Sequence, residues 1–263
     1  NPTNIYLGLS ANISFIDYFK VMFLKSLIVC LITYGLLMLI FRKSLRVSME
    51  KDSETTILKH KVSIIVGLVT LISCIALMAI SSYINIDMYL ISLGFALFII
   101  IFALIYELVI HKNLHLIINT LKRLPYALIP FLLSMFALIS SLDQSGIVAK
   151  IAGALESENE ILVIGYSSFI TCSITNNIPM SVLYSSICEF APASVKLSAI
   201  YSSIIGSNIG AFLSPFGALA GIMWLSILKK YDVNFTYVDF VKYGLIVGIP
   251  SLAVCLSSLL LFI

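Results

Sequence analysis

The chain alternates long apolar stretches with short polar ones, and five of the apolar stretches are long enough to cross a lipid bilayer as helices. A spanning helix needs about 20 consecutive apolar residues. Each of the five stretches carries at most one charged side chain, so the pattern predicts an all-α membrane protein. In the first stretch we expect Lys25 to extend its ammonium to the lipid headgroups. The predicted ordinary spans are positions 21–41, 62–84, 88–110, 126–142 and 243–263.

A sixth apolar stretch, at positions 161–190, has a polar centre. It is too long for one span and too short for two spans with a turn. Apolar arms of about ten residues flank the segment TCSITNNIP at 171–179, and each arm reaches about 15 Å, half of the hydrocarbon core. Irregular backbone at that depth must be covered by protein or line a wet cavity. The pattern therefore predicts a re-entrant hairpin with its tip at Thr175, Asn176 and Asn177.

A seventh stretch, at 197–228, is interrupted in a similar way at 206–217, where the sequence reads GSNIGAFLSPFG. The glycines, the proline and the asparagine of this segment disfavour a continuous helix. We therefore predict a helix that is broken over 206–217 and crosses the membrane, which places Lys229 and Lys230 in the cytoplasm. For both interrupted stretches the alternative is an ordinary kinked span, because glycine and proline are common in membrane helices.

Charged residues between the spans indicate the orientation of the chain. The linker 42–61 carries six Lys and Arg side chains, whereas the linker 143–160 carries one lysine and four carboxylates. Because cytoplasmic loops are enriched in Lys and Arg, the first linker is predicted to be cytoplasmic and the second to be outside. A short apolar stretch at 114–121, beside His111 and His115, predicts a helix in the membrane interface.

A motif that occurs twice indicates an internal repeat. The segments FIDYFK at 15–20 and YVDFVK at 237–242 each precede a span, and 239 − 17 and 242 − 20 both give 222. Upstream of each motif, NPTN at 1–4 and SPFG at 214–217 open a short apolar arm. The predicted crossings between the paired spans give these spans opposite directions. Inverted repeats with interrupted helices in corresponding positions are typical of secondary transporters with a binding site near the midplane.

These elements divide the chain into three predicted parts. Because the chain starts at Asn1, with no signal-peptide pattern, we expect it to be a part of a longer protein. The parts are the end of the first inverted repeat at 1–41, a cytoplasmic linker at 42–61, and a second repeat at 62–263 that contains three spans, the hairpin 161–190, the broken helix 197–228 and the last span 243–263.

Composition excludes a soluble domain. The chain is 60% hydrophobic and 11% charged, whereas about a quarter of the residues of soluble domains are charged. The lipid bilayer is therefore the expected surrounding, and no nucleic-acid partner is indicated. The five cysteines are isolated in apolar segments and lack the spacing of a disulfide framework or a zinc site. We expect no cofactor and no metal centre, apart from a coupling ion.

Three segments of the chain resemble a known family. They are LIPFLLSMF at 128–136, NNIP at 176–179, and SPFGALA at 214–220 followed by MWL at 223–225. With these segments the chain resembles the ion transporter superfamily of arsenite permeases, sodium-coupled citrate and dicarboxylate transporters, and sodium/proton antiporters of the same fold. The arsenite permease branch is the most similar. The resemblance covers the whole chain. It implies a multi-pass protein of a bacterial plasma membrane, of which this chain would lack the first hairpin.

In this family the hairpin tips and the broken helices together hold the coupling ion and the substrate. The resemblance therefore implies binding residues at the tip, in the broken helix and at the paired first site. They are Thr175, Asn176 and Asn177 at the tip, Ser207, Asn208, Ser214, Pro215 and Gly217 in the broken helix, and Asn1, Pro2, Thr3 and Asn4 at the paired site. The tip reads Thr-Asn-Asn, where dicarboxylate transporters carry Ser-Asn-Thr.

The function that this resemblance implies is secondary active transport of a small anion or oxyanion such as arsenite, by alternating access and with ion coupling. Sodium-coupled uptake of citrate, a dicarboxylate or another organic anion is the alternative. The coupling ion would be sodium or a proton. The alternatives for a protein partner are a second copy of the chain, in a homodimer, and an ATPase subunit.

Two other classes of protein compete with the transporter. An intramembrane hydrolase that uses Ser168 as its nucleophile needs a base within hydrogen-bond reach, whereas all three histidines fall in predicted cytoplasmic loops. An ion channel could use the hairpin as a selectivity loop, although channels more often line a pore by oligomeric symmetry. Cys172 could in principle bind trivalent arsenic, but a small buried side chain is the ordinary interpretation of such a cysteine.

Overall fold

The computed structural model describes residues 1–46, 61–111, 115–122, 126 and 128–262, and these residues are mainly helical. Thirteen α-helices are described, with a 3₁₀ turn at Ser44–Arg46, a π-helical turn at Glu107–His111 and a 3₁₀ turn at Pro215–Gly217. The α-helices are α1 (Pro2–Ser10), α2 (Phe15–Ile40), α3 (Lys61–Ala79), α4 (Ser81–Ile84), α5 (Met88–Tyr106), α6 (His115–Lys122), α7 (Leu128–Gln144), α8 (Ile147–Leu155), α9 (Glu160–Thr175), α10 (Asn177–Glu189), α11 (Lys196–Leu213), α12 (Leu219–Lys230) and α13 (Tyr237–Phe262).

Four of these helices, α2, α3, α5 and α13, are long and apolar enough to cross a membrane. A fifth candidate is the pair formed by α7 and α8, which are bent by 79° relative to each other. The five predicted ordinary spans coincide with α2, α3, α5, α7 and α13. The helix α8 lies in the predicted outer linker 143–160 and was missed, because Gly146 in a left-handed conformation (φ 74°) starts it after a turn. The stretch 114–121, predicted to lie in the membrane interface, largely coincides with the helix α6, and its interfacial position stays a prediction.

The described residues form two compact units. The first unit contains those of Asn1–Ile13, Lys20–Ser48 and Ile129–Ile263, and the second contains those of Ser14–Phe19 and Met49–Leu128. In the second unit α3 packs against α5. All candidate binding residues lie in the first unit, where α11 packs against α9, α10 and α13, and α1 packs against α10 and α11.

The predicted hairpin is formed by α9 and α10, with only Asn176 between them. The sequence prediction placed irregular backbone over 171–179, but the helices continue to the tip, with 16 residues in α9 and 13 in α10. At 1.5 Å per residue the arms are about 24 Å and about 20 Å long, longer than the predicted 15 Å. Asn176 alone makes the turn, since its positive φ of 86° is tolerated best by glycine and asparagine, and its side-chain oxygen accepts a hydrogen bond from the Ile178 N–H at 3.2 Å.

The predicted broken helix is interrupted at Ser214–Ala218 and not from Gly206 onwards. The helix α11 runs without a break through Gly206 and Gly210 to Leu213. Ser214 then adopts an extended conformation (φ −142°, ψ 137°), as expected for a residue that precedes a proline. The helix resumes as α12 after the 3₁₀ turn. The break is therefore shorter than predicted, because proline stops the helix whereas the glycines do not.

Gly206 has a packing role instead, because it lets α11 lie directly against α9. A Cβ atom at position 206 would lie 2.4 Å from the Gly165 carbonyl oxygen and 1.9 Å from the Ser168 Oγ. A Cβ atom at 210 would lie 2.7 Å from the Phe169 carbonyl oxygen. Small residues at a membrane helix interface permit such close approach of two backbones. The polar groups of the two helices are thereby brought within hydrogen-bonding distance.

The predicted repeat is visible in the helices α2 and α13. Both contain 26 residues, and both their starts (237 − 15) and their ends (262 − 40) differ by 222. Each begins with the same reciprocal cap. Asp17 N–H donates to the Ser14 Oγ at 3.1 Å while that hydroxyl donates to the Asp17 carboxylate, and Thr236 and Asp239 repeat this pattern at the same 3.1 Å.

The helices α2 and α13 run antiparallel in the first unit. The ring of Phe41, which follows α2, lies 5.0 Å from the ring of Tyr243, near the start of α13. At the other end, Lys25 of early α2 and Cys255 of late α13 line the same cavity. This opposite direction is the relation that inverted repeats require.

Candidate functional site

The hairpin tip is bound to the break between α11 and α12. The side-chain amide of Asn176 donates a hydrogen bond to the Phe216 carbonyl oxygen at 2.8 Å. The hydroxyl of Thr175 donates to the Thr171 carbonyl oxygen at 2.8 Å. Asn177, the first residue of α10, is buried with 8% of its surface exposed. The tip therefore presents polar groups to the 3₁₀ turn Pro215–Gly217, where the α-helix is interrupted.

The break itself is held by short polar contacts. The Ser214 hydroxyl accepts a hydrogen bond from the Phe216 N–H at 3.2 Å, which caps the 3₁₀ turn. The thiol of Cys172, on α9, donates to the carbonyl oxygens of Ser207 at 3.1 Å and Gly217 at 3.4 Å. A Cβ atom at position 217 would lie 3.0 Å from the Ala211 Cα, so the turn folds closely onto α11. The helix ends at this break leave backbone carbonyl and N–H groups outside the regular helical pattern.

The N-terminal segment meets the middle of α11. The side-chain amide of Asn1 donates to the Asn208 side-chain oxygen at 2.9 Å, and its own oxygen accepts the Thr3 N–H at 3.2 Å. Thr3 and Ser207 are almost completely buried, and neither hydroxyl has a hydrogen-bond partner in the described structure.

The caps of the two broken segments correspond. Asn1 precedes Pro2 and accepts the N–H of the residue two positions on, and Ser214 precedes Pro215 and does the same. Their separation is 214 − 1 = 213 residues, nine fewer than the 222 of α2 and α13. The two segments thus share one type of cap, and their pairing as sites of an inverted repeat stays a prediction.

A cavity of about 630 Å³ adjoins these residues in the first unit. Its lining includes Asn4 of α1, Lys25 of α2, Asn208 of α11 and Cys255 of α13. Only 4% of the surface of Lys25 is exposed, and its Nζ donates to the Val21 carbonyl oxygen at 3.1 Å. The expectation that Lys25 extends to the headgroups is therefore wrong, because protein covers the side chain.

A family model described as citrate transporter matches residues 1–206, most of the chain. The chain belongs to the citrate transporter family. It is an integral membrane protein with several helices able to span a bilayer. No solved structure matches the chain.

Several curated relatives of this citrate transporter family chain are arsenical pump membrane proteins. That of Escherichia coli (strain K12) is 27% identical over 155 residues, which is 55% of this chain and 36% of the relative. That of Yersinia enterocolitica has the same identity and coverage. A putative arsenical pump membrane protein of Bacillus subtilis (strain 168) is 25% identical over 138 residues, 49% of this chain and 31% of the relative. The chain spans about a third of the length of the curated relatives it matches.

The twelve binding residues predicted from sequence all lie in the first unit. Two hydrogen bonds connect different groups of them. Asn176 joins the tip to the break, and Asn1 joins the N-terminal segment to Asn208. Which of these residues binds a substrate remains a prediction. The predicted residues are Thr175, Asn176, Asn177, Ser207, Asn208, Ser214, Pro215, Gly217, Asn1, Pro2, Thr3 and Asn4.

Sequence reasoning did not anticipate that Lys25 lines this cavity or that the peptide carbonyl of Phe216 meets the hairpin tip. An ionisable residue inside a spanning helix is itself a signal for a functional site, and this signal was available for Lys25. No side-chain pattern could have indicated Phe216, because its carbonyl is exposed by the backbone turn.

Two other sequence candidates are part of the helix packing. Ser168 is completely buried under Gly206, and its hydroxyl donates to the Gly165 carbonyl oxygen at 3.0 Å. Cys172 is also completely buried and bonds two carbonyls, as expected for a small buried side chain. Among the described residues no group of three His, Cys, Asp or Glu side chains could hold a metal ion. The matching family model is described as a citrate transporter, and the listed relatives are named as pump membrane proteins.

Proposed function

We propose that this chain forms the substrate-binding half of a secondary active transporter, which moves a small anion or oxyanion such as arsenite by alternating access. Membership of the citrate transporter family supports transport, and the names of the arsenical pump relatives support an arsenic oxyanion. The coupling ion is sodium or a proton, and the lipid bilayer surrounds the helices.

The observation that carries the proposal is the hydrogen bond between Asn176 and the Phe216 carbonyl. It places the side-chain amides of a helix–helix turn beside the free helix ends of a broken segment. Free N–H groups at helix N-termini favour anions, and free carbonyls at helix C-termini favour cations. A site of this composition can bind an anion together with a coupling ion without any titratable side chain.

Alternating access requires two halves of the protein that expose the binding site to one side of the membrane and then to the other. The antiparallel pair α2 and α13, with its equivalent Ser-Asp and Thr-Asp caps, supplies the inverted relation that such an exchange uses. In this proposal the hairpin and the broken helix move as one body, because Asn176, Cys172 and Ser173 link them by hydrogen bonds. A homodimer partner or an ATPase subunit is compatible with this arrangement.

A second candidate is sodium-coupled uptake of citrate or another organic anion. The description of the matching family model favours it. Both candidates use the same residues and differ in substrate and direction.

The first prediction is that Asn177→Ala and Asn208→Ala each abolish transport while the protein still inserts in the membrane. Each substitution removes an amide from the candidate site, and a buried polar contact to a charged ligand contributes about 1.5–3 kcal/mol, or roughly 10–100-fold in affinity. Flux of arsenite and of citrate is measured in vesicles with the full-length protein, under sodium and proton gradients separately.

The matched control is Asn159→Ala, since Asn159 is exposed and its side chain makes no capping bond. This variant is expected to transport like the wild type. Normal flux in both Asn177→Ala and Asn208→Ala, at wild-type membrane abundance, contradicts the proposal.

A further inference from the structure

One face of α2 lines the cavity that this helix shares with α11. Eight residues of α2 belong to the lining, and they recur every three or four positions from Met22 to Leu37, so they form one stripe along the helix. The stripe is open towards its C-terminal end, where 64% of the surface of Tyr34 and 37% of that of Leu37 are exposed. Among the described helices none packs along α2 as α11 packs along α13. The cavity is thus a groove along α2 that is open on one side.

The corresponding stripe of α13 is a helix interface. Adding the repeat offset of 222 to the eight positions gives positions between 244 and 259, and seven of the eight residues there are buried. The eighth, Gly244, lies so close to α11 that a Cβ atom would be 1.8 Å from the Phe212 carbonyl oxygen. A Cβ atom at Gly248 would contact Phe212 and Ile209 at 3.6 Å and 3.9 Å. The surface that is open on α2 is therefore covered on α13, by α11 together with α9.

Individual pairs of residues show the difference between the two stripes. Leu256 of α13 is completely buried, whereas its counterpart Tyr34 is exposed. Gly248 is buried, and its counterpart Ser26 is exposed. The small side chain of Ser26 leaves room at the position where Gly248 meets the side chains of α11, and small residues permit such close helix packing. The stripe of α2 therefore has the shape of the interface that α13 uses.

The N-terminal end of α1 lies at the same groove. Asn4 and Asn208 are part of its lining, and the side-chain amide of Asn1 donates to the Asn208 side-chain oxygen at 2.9 Å. Asn1 caps α1 as Ser214 caps the turn that follows α11, and α11 ends at Leu213, directly before Ser214. A helix that ends directly before Asn1 would therefore have its C-terminal end at the edge of the α2 groove.

The repeat and the dimensions specify the helix that fits this groove. For the last residue of α11, Leu213, the offset gives 213 − 222 = −9, so the first-repeat counterpart of α11 belongs ahead of Asn1. An 18-residue helix like α11 is about 27 Å long, and the stripe from Met22 to Leu37 extends over about 22 Å. The lining is mainly apolar, which suits the apolar side chains of a membrane helix.

We propose that the α2 groove holds a transmembrane helix equivalent to α11, formed by the residues of the same polypeptide that precede Asn1. Its apolar side chains enter the space beside Ser26, as Phe212 of α11 meets Gly248. The helix also covers Cys30, which is exposed in the described structure. This inference goes beyond the proposed function, since it concerns the assembly of the two repeats and not the substrate.

Disulfide cross-linking in membranes that contain the full-length protein tests this inference. Cysteine replaces, one at a time, each of the 18 residues before Asn1, as many as α11 contains. The partner is the native Cys30 of the stripe, which is a free thiol. After oxidation with copper phenanthroline, mass spectrometry of the peptides identifies the linked pairs. The matched control repeats the scan in the variant with Cys30→Ser and Leu31→Cys, because Leu31 is 62% exposed and lies outside the stripe.

Cys30 is expected to form disulfides with positions that recur every three or four residues, since one face of a helix lies against the stripe. The control is expected to form none, because a disulfide needs Cα atoms within about 7 Å of each other. Absence of disulfides to Cys30, loss of the helical spacing, or equal yields from Leu31→Cys overturns the inference. Disulfides between Cys30 residues of two copies overturn it also, because the groove is then an interface between copies.

The results separate this inference from the proposed function. Gradient-driven flux in a protein without the cross-links overturns the inference and leaves the transporter standing. Cross-links at Cys30 in a protein that transports neither arsenite nor citrate support the helix in the groove and contradict the proposed function.

Discussion

The close approach of α9 and α11 at Gly206 provides a sharp test of the packing that positions the site. In the variant Gly206→Ala the new Cβ atom meets the Gly165 carbonyl oxygen at 2.4 Å, whereas ordinary contacts begin at 3.4 Å. The difference, 3.4 − 2.4 = 1.0 Å, must be made by separating the two backbones. The Ser168 hydroxyl, at 1.9 Å, can rotate, but it then loses its bond to Gly165.

The expected loss of stability follows from these contacts. Overpacking of a tight interface costs about 1–3 kcal/mol. The Ser168 bond and the bond from Ser173 to the Gly210 carbonyl, at 3.0 Å, each contribute about 1 kcal/mol and are lengthened or lost. Alanine gains about 1 kcal/mol of helix propensity over glycine, which offsets part of this. The net destabilisation is about 2–4 kcal/mol.

Thermal unfolding of the purified full-length protein measures the effect. Gly206→Ala is expected to lower the apparent Tm by several degrees. The matched control is Gly35→Ala, in the C-terminal part of α2, where a Cβ atom meets nothing within 4 Å. This control should leave the apparent Tm unchanged or raise it slightly. Equal apparent Tm values for Gly206→Ala and Gly35→Ala would refute the direct contact of the two helices.

Two further substitutions test the turn and the repeat. Asn176→Gly should retain the turn, since glycine also tolerates the φ of 86°, whereas Asn176→Ala adds backbone strain and should lower the apparent Tm further; equal values would contradict the described turn. Thr236→Ala removes the cap of α13 and should destabilise the protein by about 1 kcal/mol, and Ser14→Ala should have a similar effect on α2 in the same unfolding assay; clearly unequal losses would argue against equivalent caps.

The spans and the two interruptions could be predicted because they depend on local composition. A stretch of apolar residues of sufficient length has few alternatives, and the polar cluster around Asn176 marked the turn correctly. The repeat was equally accessible, since the Asp17 and Asp239 motifs fix the 222-residue offset that α2 and α13 then follow over their full length.

The exact position of the helix break could not be predicted, because a glycine can either interrupt a helix or let two helices pack closely. Gly206 and Gly210 were interpreted as breakers, yet they are helical and in contact with Gly165 and Phe169, about 40 residues away in sequence. Only Pro215, which alters the backbone of Ser214 locally, acts as the breaker.

The burial of Lys25 also depends on distant residues. A lysine near the end of a span reaches water if it faces lipid or a loop, and it is covered if it faces α11 and α13. The sequence of α2 does not distinguish these orientations, because apolar residues occupy all of its sides. The tip residues were therefore predictable from sequence, whereas the burial of Lys25 is defined only by the packed structure.

The most direct test of the central claim is substrate flux into vesicles that contain the full-length wild-type protein or Asn208→Ala, measured for arsenite and citrate over a range of concentrations and with imposed ion gradients. The account predicts saturable flux in the wild type that depends on a sodium or proton gradient and is absent in Asn208→Ala. Flux that does not saturate, needs no gradient and persists in Asn208→Ala would contradict it.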